Sequence, residues 1–383
     1  MQPPLKTVSE GRTRLFVPAA SLASRAPVTF PVFFNPAARL NRDVSVAVAS
    51  VTRPRTYLDA LAGTGARGVR VAKECGPGVR VTMVDFNESA LKVAARNVRA
   101  NGVSGSCSVV HSEANRFLFS RFERPEKFEA VDIDPFGTPA PYVLGGLVAS
   151  AEGAALSFTA TDAAVLCGVY PKVVFRRYGA SAPRSEFVHE TALRILAGFA
   201  ARMGGIVDIG ATPLAAHSTL HYLRMYVRIS RGASAADEAV KALGYTAQCN
   251  VCHSRFSGPE PLSRCPACGA RVRSAGPLWT GDLADDEVTS KAAAMCSSNG
   301  WADSQKLLSS LSEVKGLPPF SYSLERSASR SRASSVPMDA VIERLRSAGF
   351  RCSNSPFEEL SVKTDAGVRD VDAAVRRASG SSA

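Results

Sequence analysis

No run of about 18 apolar residues occurs in this chain, which excludes a helical membrane span. The first residues include Pro3, Pro4, Lys6 and Glu10 and hold no apolar core, so no secretion signal is expected. Nine cysteines, an odd number in 383 residues, do not make the framework of a small secreted disulfide scaffold. Reduced thiols, some of them holding a metal, are expected instead, and with them a cytoplasmic protein. Acidic residues are the scarcer sign, 34 against 46 Lys and Arg, which leaves a net charge of +12 and a pI near 9.5. That balance suggests a polyanionic partner. The hydrophobic share of 45% is that of a chain with a full core, and the length suits two domains.

What is present is most informative at Asp132-Ile133-Asp134-Pro135-Phe136-Gly137. This segment follows the apolar run Phe128 to Val131 and reads as the tip of a buried strand. Proline ends a ladder, so a carboxylate and an aromatic ring would stand where α/β sheets bind ligands. Such a tip is suited to a planar base and its amino group. If the strand runs on to Asp134, the spacing of two puts Asp132 and Asp134 on one face.

The residues before it alternate strand and helix. Thr56 to Ala60 reads as a strand ending in Asp59, followed by Gly63-Thr64-Gly65-Ala66-Arg67-Gly68 and a helical stretch to about Glu74. Val79 to Asp85 is a second strand, and Asn87 can cap the helix after it. Cys107 to His111, with Glu113 beyond, is a third; Phe128 to Ile133 and Ala155 to Ala160 are the fourth and fifth. The pattern predicts a mostly parallel sheet covered on both faces. The glycine loop alone also fits a dinucleotide site, and Asp85 lies 22 residues after Gly63, as such a site expects. The row Asp59, Asp85, Glu113 and Asp134 at successive strand ends suits S-adenosylmethionine better. Its ribose hydroxyls, adenine amine and amino group all need acceptors, whereas a nicotinamide cofactor needs its pyrophosphate cradled.

With these motifs the chain resembles the tRNA (guanine-26) N2-dimethyltransferases. The matching segments are Pro31-Val32-Phe33-Phe34-Asn35-Pro36, Leu40-Asn41-Arg42-Asp43, Asp59 to Gly68, Asp132 to Pro139, Thr159 to Asp162, Leu166-Cys167-Gly168, and His189-Glu190 with Arg194. A weaker match continues to Val362-Lys363-Thr364-Asp365-Ala366, and the length resembles the archaeal members. The resemblance implies an S-adenosylmethionine-dependent enzyme placing one or two methyl groups on the exocyclic amine of guanine 26 in tRNA. It implies that Arg42, Arg67, Asp85, Glu113 and Ala114 contact the methyl donor, with Asp59 at the first strand end beside them. Asp85 would hold the ribose hydroxyls and Arg42 the donor's carboxylate. Two departures stand out: Glu113 where the family has Asp, and Thr138 where it commonly has Ser.

The chemistry gives the tip residues their roles. A guanine amine is a poor nucleophile because its lone pair is delocalised into the ring. Asp134 can accept an N–H and stabilise the charge that develops on nitrogen. The Pro135 carbonyl can accept the second N–H, while Phe136 and Phe33 sandwich the base. A base inside folded RNA must flip out to reach them. The stretch Gly168 to Arg231 carries Lys172, Arg176, Arg177, Arg184, Arg194, Arg202, Arg224, Arg228 and Arg231 against three acids. It is expected to be an electrostatic footprint for tRNA. His189 and Glu190 fit an interdomain or capping role.

Cys249-x-x-Cys252 and Cys265-x-x-Cys268, twelve residues apart, predict a zinc ribbon with four thiolate ligands; His253 is a spare candidate. Asp303 to Val314 reads as a helix, Ser327 to Ser335 as a polar loop, and Met338 to Ala348 as a helix opened by Pro337. Phe350 to Cys352 and Leu360 to Lys363 read as a hairpin. The expected architecture is therefore α/β. A Rossmann-like class I methyltransferase domain over 1–240 precedes a smaller α+β, tRNA-binding domain over 241–383. The latter would carry the zinc ribbon at 249–268 and a winged-helix-like tail. The expected partner is tRNA, with no membrane and no obligate protein partner. Alternatives are an amino-methyltransferase acting on adenine or another guanine in RNA or DNA, and a non-catalytic RNA-binding protein.

Overall fold

The computed structural model describes residues 4–23 and 31–380. The outermost residues of both expected domains, 1–3 and 381–383, lie outside the described residues, as does Pro3. A hairpin of β1 (Leu5–Glu10) and β2 (Thr13–Pro18) precedes the main sheet. That sheet contains β3 (Thr56–Asp59), β4 (Arg80–Asp85), β5 (Cys107–His111), β6 (Phe128–Ile133), β7 (Ser150–Ala160), β8 (Ile209–Thr219) and β9 (Tyr222–Arg231). Their spatial order is β5-β4-β3-β6-β7-β9-β8. The five strands from β3 to β7 pair in parallel, while β9 runs antiparallel to both β7 and β8. The chain leaves β3 first to one side and then to the other, so the crevice between β3 and β6 is the switch point where α/β sheets bind ligands. The antiparallel last pair distinguishes this sheet from the six parallel strands of a dinucleotide fold. Among the described residues no helix is long and apolar enough to cross a membrane.

Local sequence explains the parallel half. The strands carry Leu58, Val81, Met83, Val84, Val131 and Ile133, all buried, as sheets covered on both faces require. Gly65 has φ +70° and opens the helix Ala66–Glu74; one turn on, a Cβ at Gly68 would come within 2.7 Å of Met83. The glycine at 68 thus lets this helix sit directly on β4. The β1–β2 hairpin is held on the helix Glu88–Ala100 by the Asn97 and Asn101 side chains, which bond to the backbone of Phe16 and Arg14 at 2.6–3.0 Å.

The main core continues beyond the sheet. Leu278, Trp279, Val288, Ala292, Leu308 and Leu311 are buried in it. The strands β10 (Leu243–Gln248), β11 (Arg255–Gly258) and β12 (Ser274–Trp279) form a sheet of their own, ordered β11-β10-β12. A second core of residues 320–375, joined by Phe187, lies under the C-terminal elements. There β13 (Tyr322–Ser323), β14 (Cys352–Asn354) and β15 (Ser361–Thr364) pair in the order β13-β15-β14.

One local expectation is overturned. Of the polar stretch expected as a loop from Ser327 to Ser335, only 332–335 is irregular: Leu324–Ser331 is a helix, capped by the Ser323 hydroxyl, which accepts from the Arg326 N–H. Leu324, Ser327 and Ala328 are buried on one face, and Arg330 bonds to Asp372 at 3.0 Å and Glu186 at 3.1 Å. Composition suggested a polar loop; a cap and three inward residues make its first part a helix.

His189 and Glu190 both join the helix Val188–Gly205 to the C-terminal part. His189 Nδ1 pairs with Glu358 at 2.7 Å. Buried Glu190 accepts from Arg194 at 2.8 and 3.0 Å and from Lys363 at 2.5 Å. Glu190→Ala leaves two buried cations with no carboxylate, so a loss of about 3–5 kcal/mol in chemical denaturation is expected, and Glu190→Gln, which also removes the charge, should be strongly destabilising too. The Glu358 carboxylate holds the His189 pKa above its usual value, against the opposing effect of burial. The stability this contributes is present in full below about pH 6.5 and is lost as pH rises through the raised value. Denaturation midpoints of wild type and His189→Gln should therefore converge as pH increases.

Candidate active site

The site is assembled at the carboxyl ends of β3, β4 and β6, over a buried ionic cluster. Asp132 is the last but one residue of β6 and has no solvent exposure. Arg224, on β9, is equally buried and donates to Asp132, to Ser157 at 3.0 Å and to Thr159 at 2.7 Å. Arg67 approaches from the other side, with its Nε 3.2 Å from Asp132. Tyr57 and Ser157 hydroxyls complete the shell at 3.2 and 2.8 Å. Burial works to raise the Asp132 pKa, but Arg224 and Arg67 outweigh it and keep the carboxylate ionised. Asp59 lies behind it and accepts from the Gly68 N–H at 3.2 Å. Burial, with the Asp132 charge nearby, pushes Asp59 up to about 7.

Asp134 is placed differently. The strand stops at Ile133, so Asp134 leaves the ladder rather than sharing a face with Asp132. The proline that follows removes the next donor and ends the pairing. Its side chain is 30% exposed and receives Arg67 Nη2. Arg67 also reaches Asn41 at 2.9 Å and Ser45. Every nitrogen of this guanidinium is thus engaged by the protein, and its contact with Asp134 fixes that carboxylate at the mouth of the site. Pro135 is buried while Phe136 is 64% exposed. Gly137 has φ +78° and its N–H and C=O bond to Thr161 at 2.6 and 2.8 Å, which turns the chain away. The Thr138 hydroxyl meets Tyr178 Oη at 2.6 Å, and Tyr178 also bonds to Asp162 at 2.9 Å, so the threonine keeps the hydroxyl of the familiar serine.

Phe33 is brought to Phe136 from a distant segment. Asn87 Nδ2 holds the Pro31 carbonyl at 2.8 Å, Phe34 is buried with Leu15, Val17 and Ala66, and Asn35 caps the short turn Pro36–Ala38. Phe33 then meets Phe136 edge to face, with ring centroids 4.5 Å apart. A base entering between the rings requires one to swing aside, and exposed Phe136 is the freer.

The expected donor-site residues differ in how far the protein itself engages them. Asp85 accepts the Gly63 N–H at 2.7 Å and the Asn87 N–H at 2.9 Å. Phe86, next to it, is 70% exposed; sequence reading passed over it, though its place after a strand-end acid was a signal. Arg42 is buried, stacked 4.9 Å from Phe34, and clamped by Glu10 through Nε at 2.7 Å and Nη2 at 2.5 Å. Glu10 was also missed, because nothing in a surface hairpin's sequence marks it as a partner 32 residues from Arg42. Glu113 caps the helix Ala114–Phe119, accepting from Asn115 and Arg116 at 2.9 and 2.8 Å, and Ala114 is buried behind it.

The profile of the N2,N2-dimethylguanosine tRNA methyltransferase family matches residues 11–376. The chain belongs to that family. A tRNA (guanine(26)-N(2))-dimethyltransferase of Methanothermobacter thermautotrophicus is 36% identical over 378 residues, covering 96% of this chain and 97% of that protein. Its counterpart in Methanoculleus marisnigri is 38% identical over 368 residues, covering 94% and 95%. Trm1 from Pyrococcus horikoshii, solved in complex with S-adenosyl-L-methionine, superposes with a TM-score of 0.85 at 30% identity, covering 97% of this chain and 99% of that one.

For this methyltransferase the basic stretch after residue 168 is not one surface. Arg194 and Arg224 are buried ion-pair partners, and Arg177 and Arg228 pair with Asp162 and Asp285. Arg202 and Arg231 donate to the Tyr178 and Ser150 carbonyls. Lys172, Arg176 and Arg184 remain exposed with no ion pair among the described residues. A count of charges does not tell which face carries them.

The four cysteines do meet. Cys249, Cys252, Cys265 and Cys268 bring their sulfurs within 4.8 Å of one another, and the pairs 249–268 and 252–265 lie 3.6 and 3.5 Å apart. The Val251 N–H points at Cys249 Sγ at 3.4 Å. Four thiols at this spacing, with an N–H to steady a thiolate, fit a closed tetrahedral zinc site; His253 is not part of it. Cys265→Ser should lower bound zinc from about one ion per chain and loosen the ribbon, and chelation of wild type should do the same. Metal analysis and thermal unfolding check both.

Proposed function

We propose that this protein transfers methyl groups from S-adenosylmethionine to the exocyclic N2 of guanine 26 in tRNA, once or twice. The observation that carries this reading is the end-to-end likeness to dimethyltransferases of that specificity, joined to the partly exposed Asp134 and exposed Phe136 at the switch point. S-adenosylmethionine supplies the electrophilic methyl group. The protein supplies acceptors and positioning. Asp134 accepts one N–H of the amine and stabilises the positive charge that builds as the nitrogen turns its lone pair outward. The Pro135 carbonyl accepts the other N–H, and Phe136 and Phe33 hold the ring plane. Asp134 is also the group best placed to take the proton released.

The crevice residues fit the donor in chemistry. The Asp85 carboxylate keeps spare lone pairs for two hydroxyls, and Phe86 offers a face to a purine. Arg42 retains Nη1 for a carboxylate, since Glu10 takes its other edge. Asp59 at the end of β3 and Glu113 beyond the end of β5 stand on either side of Asp85 at the end of β4, and Ala114 follows Glu113. Arg67 acts through Asp134 and Asp132 as a positioning residue. Asp132, sealed beneath the tip, keeps Arg67 and Arg224 in place rather than meeting the base.

Residues 1–240 carry catalysis in this reading, and the part from 241 to 383 grips the tRNA. Support for the grip comes from the C-terminal order of strand, two helices and hairpin, with β15 between β13 and β14, as in winged-helix modules. Acting on tRNA with reduced thiols, the enzyme would work in the cytoplasm.

Asp134→Ala should lower kcat at least about a hundredfold while donor binding, followed by calorimetry, stays near wild type. Incorporation of labelled methyl into a tRNA transcript with guanine at position 26, and none with adenine there, checks the substrate. No incorporation into the guanine transcript would refute the reading.

A further inference from the structure

We propose that the groove between the zinc ribbon and residues 168–187 is the track on which the substrate's sugar–phosphate backbone lies while its base is in the active site. This rests on the reading of the protein as a tRNA methyltransferase. The groove encloses about 1100 Å³, and its lining includes Arg184, Arg264, Arg271 and Arg273. All four are exposed, and no acid stands among the residues that line it. The acid closest in sequence, Glu186, is already neutralised by Arg255 and Arg330 at 2.7 and 3.1 Å. Four uncompensated guanidiniums facing one channel favour a chain of phosphates, which they grip as planar forks. A small-molecule pocket would be smaller and mostly apolar.

The groove also leads to the right place. Its rim at Gly168 and Val169 follows the short helix Ala163–Leu166, which starts at Asp162, and the N–H groups of Thr161 and Asp162 bond to the Gly137 carbonyl at 2.8 and 3.2 Å. The catalytic tip and the groove are thus ends of one continuous, hydrogen-bonded stretch. Beside the rim, the helix Pro171–Tyr178 presents Lys172, Phe175 and Arg176 on one exposed face, with Phe175 70% exposed and Tyr170 next to it. Cations interleaved with bare aromatic rings match a backbone with unstacked bases.

The floor is rigid. Ser181 and Gly276 exchange backbone hydrogen bonds at 2.8 and 2.9 Å, and the Gln248 side-chain amide accepts from the Glu186 N–H and donates to the Glu186 carboxylate at 2.9 Å each. Arg264 adjoins Cys265, and Arg271 and Arg273 follow Cys268, so the cysteine cluster sets the position of three of the four cations. The ribbon's task is then to present these arginines to RNA.

The test compares wild type with Arg264→Ala/Arg271→Ala/Arg273→Ala and, outside the ribbon, Arg184→Ala. Affinity for a tRNA transcript is measured across a salt series, together with zinc content and donor affinity. The triple variant should bind tRNA at least about tenfold more weakly, with a salt slope shallower by roughly 2, and keep its zinc and donor affinity. Arg184→Ala should lower the slope by somewhat under 1 with the ribbon untouched. Wild-type affinity and slope in both variants, with zinc retained, would overturn the proposal while wild-type methylation of the guanine transcript left the enzyme's function standing. If wild type itself fails to methylate that transcript, the functional reading falls and the groove's assignment with it.

Discussion

Two arginines buried on either side of one carboxylate organise this protein. Arg67 and Arg224 have almost no access to water, and Asp132 between them has none. Desolvating such charges is expensive, so the arrangement persists only because each finds several partners. The partners come from four elements: β3 gives Tyr57, β7 gives Ser157 and Thr159, the helix Arg39–Thr52 gives Asn41 and Ser45, and the strand tip gives Asp134. Satisfying the charges therefore fixes how sheet, helix and tip sit together. The same contacts hold the exposed Asp134 carboxylate in one orientation, and preorganisation of that kind is what an electrostatic acceptor requires.

The outer layers depend on that centre in turn. The Thr161–Gly137 bonds close the tip, and the stretch after them forms the rim of the arginine-lined groove. The ribbon on the far side is attached through Ser181, Glu186 and Gln248. The C-terminal core is tied to the long helix by Glu190, Arg194 and Lys363, a second buried cluster with a carboxylate shared between two cations. Catalytic crevice, groove and C-terminal module are linked by polar contacts, each of which is costly to break one-sidedly.

Much of this was legible in the residues. Strand ends marked by Asp59, Asp85 and Asp134, a glycine loop with Gly68 against β4, and paired CxxC knuckles each reflect a local rule that tertiary context did not override. The misses have a common cause. The stretch from Ser327 to Ser335 was read as loop throughout because polar composition hides the inward face that Leu324, Ser327 and Ala328 give its first part. The arginines after residue 168 were read as one surface because the acids that meet Arg177, Arg224 and Arg228 are distant in sequence, although Glu190 lies one turn from Arg194. Glu10 escaped notice because its partner, Arg42, lies 32 residues along the chain.

The sequence by itself determined the alternating elements, the order of chemistry-bearing strand ends and the metal ligands, since all follow from short-range periodicity, turn residues and fixed spacings. Only the tertiary structure decided which carboxylate of the Asp132–Asp134 pair faces the crevice. Both lie in one hexapeptide, and the strand's early end at Ile133 and the approach of Arg224 from β9 separate them. It likewise decided which cations remain unpaired, because Arg177, Arg228 and Arg224 meet acids 15, 57 and 92 positions away, which no local pattern encodes.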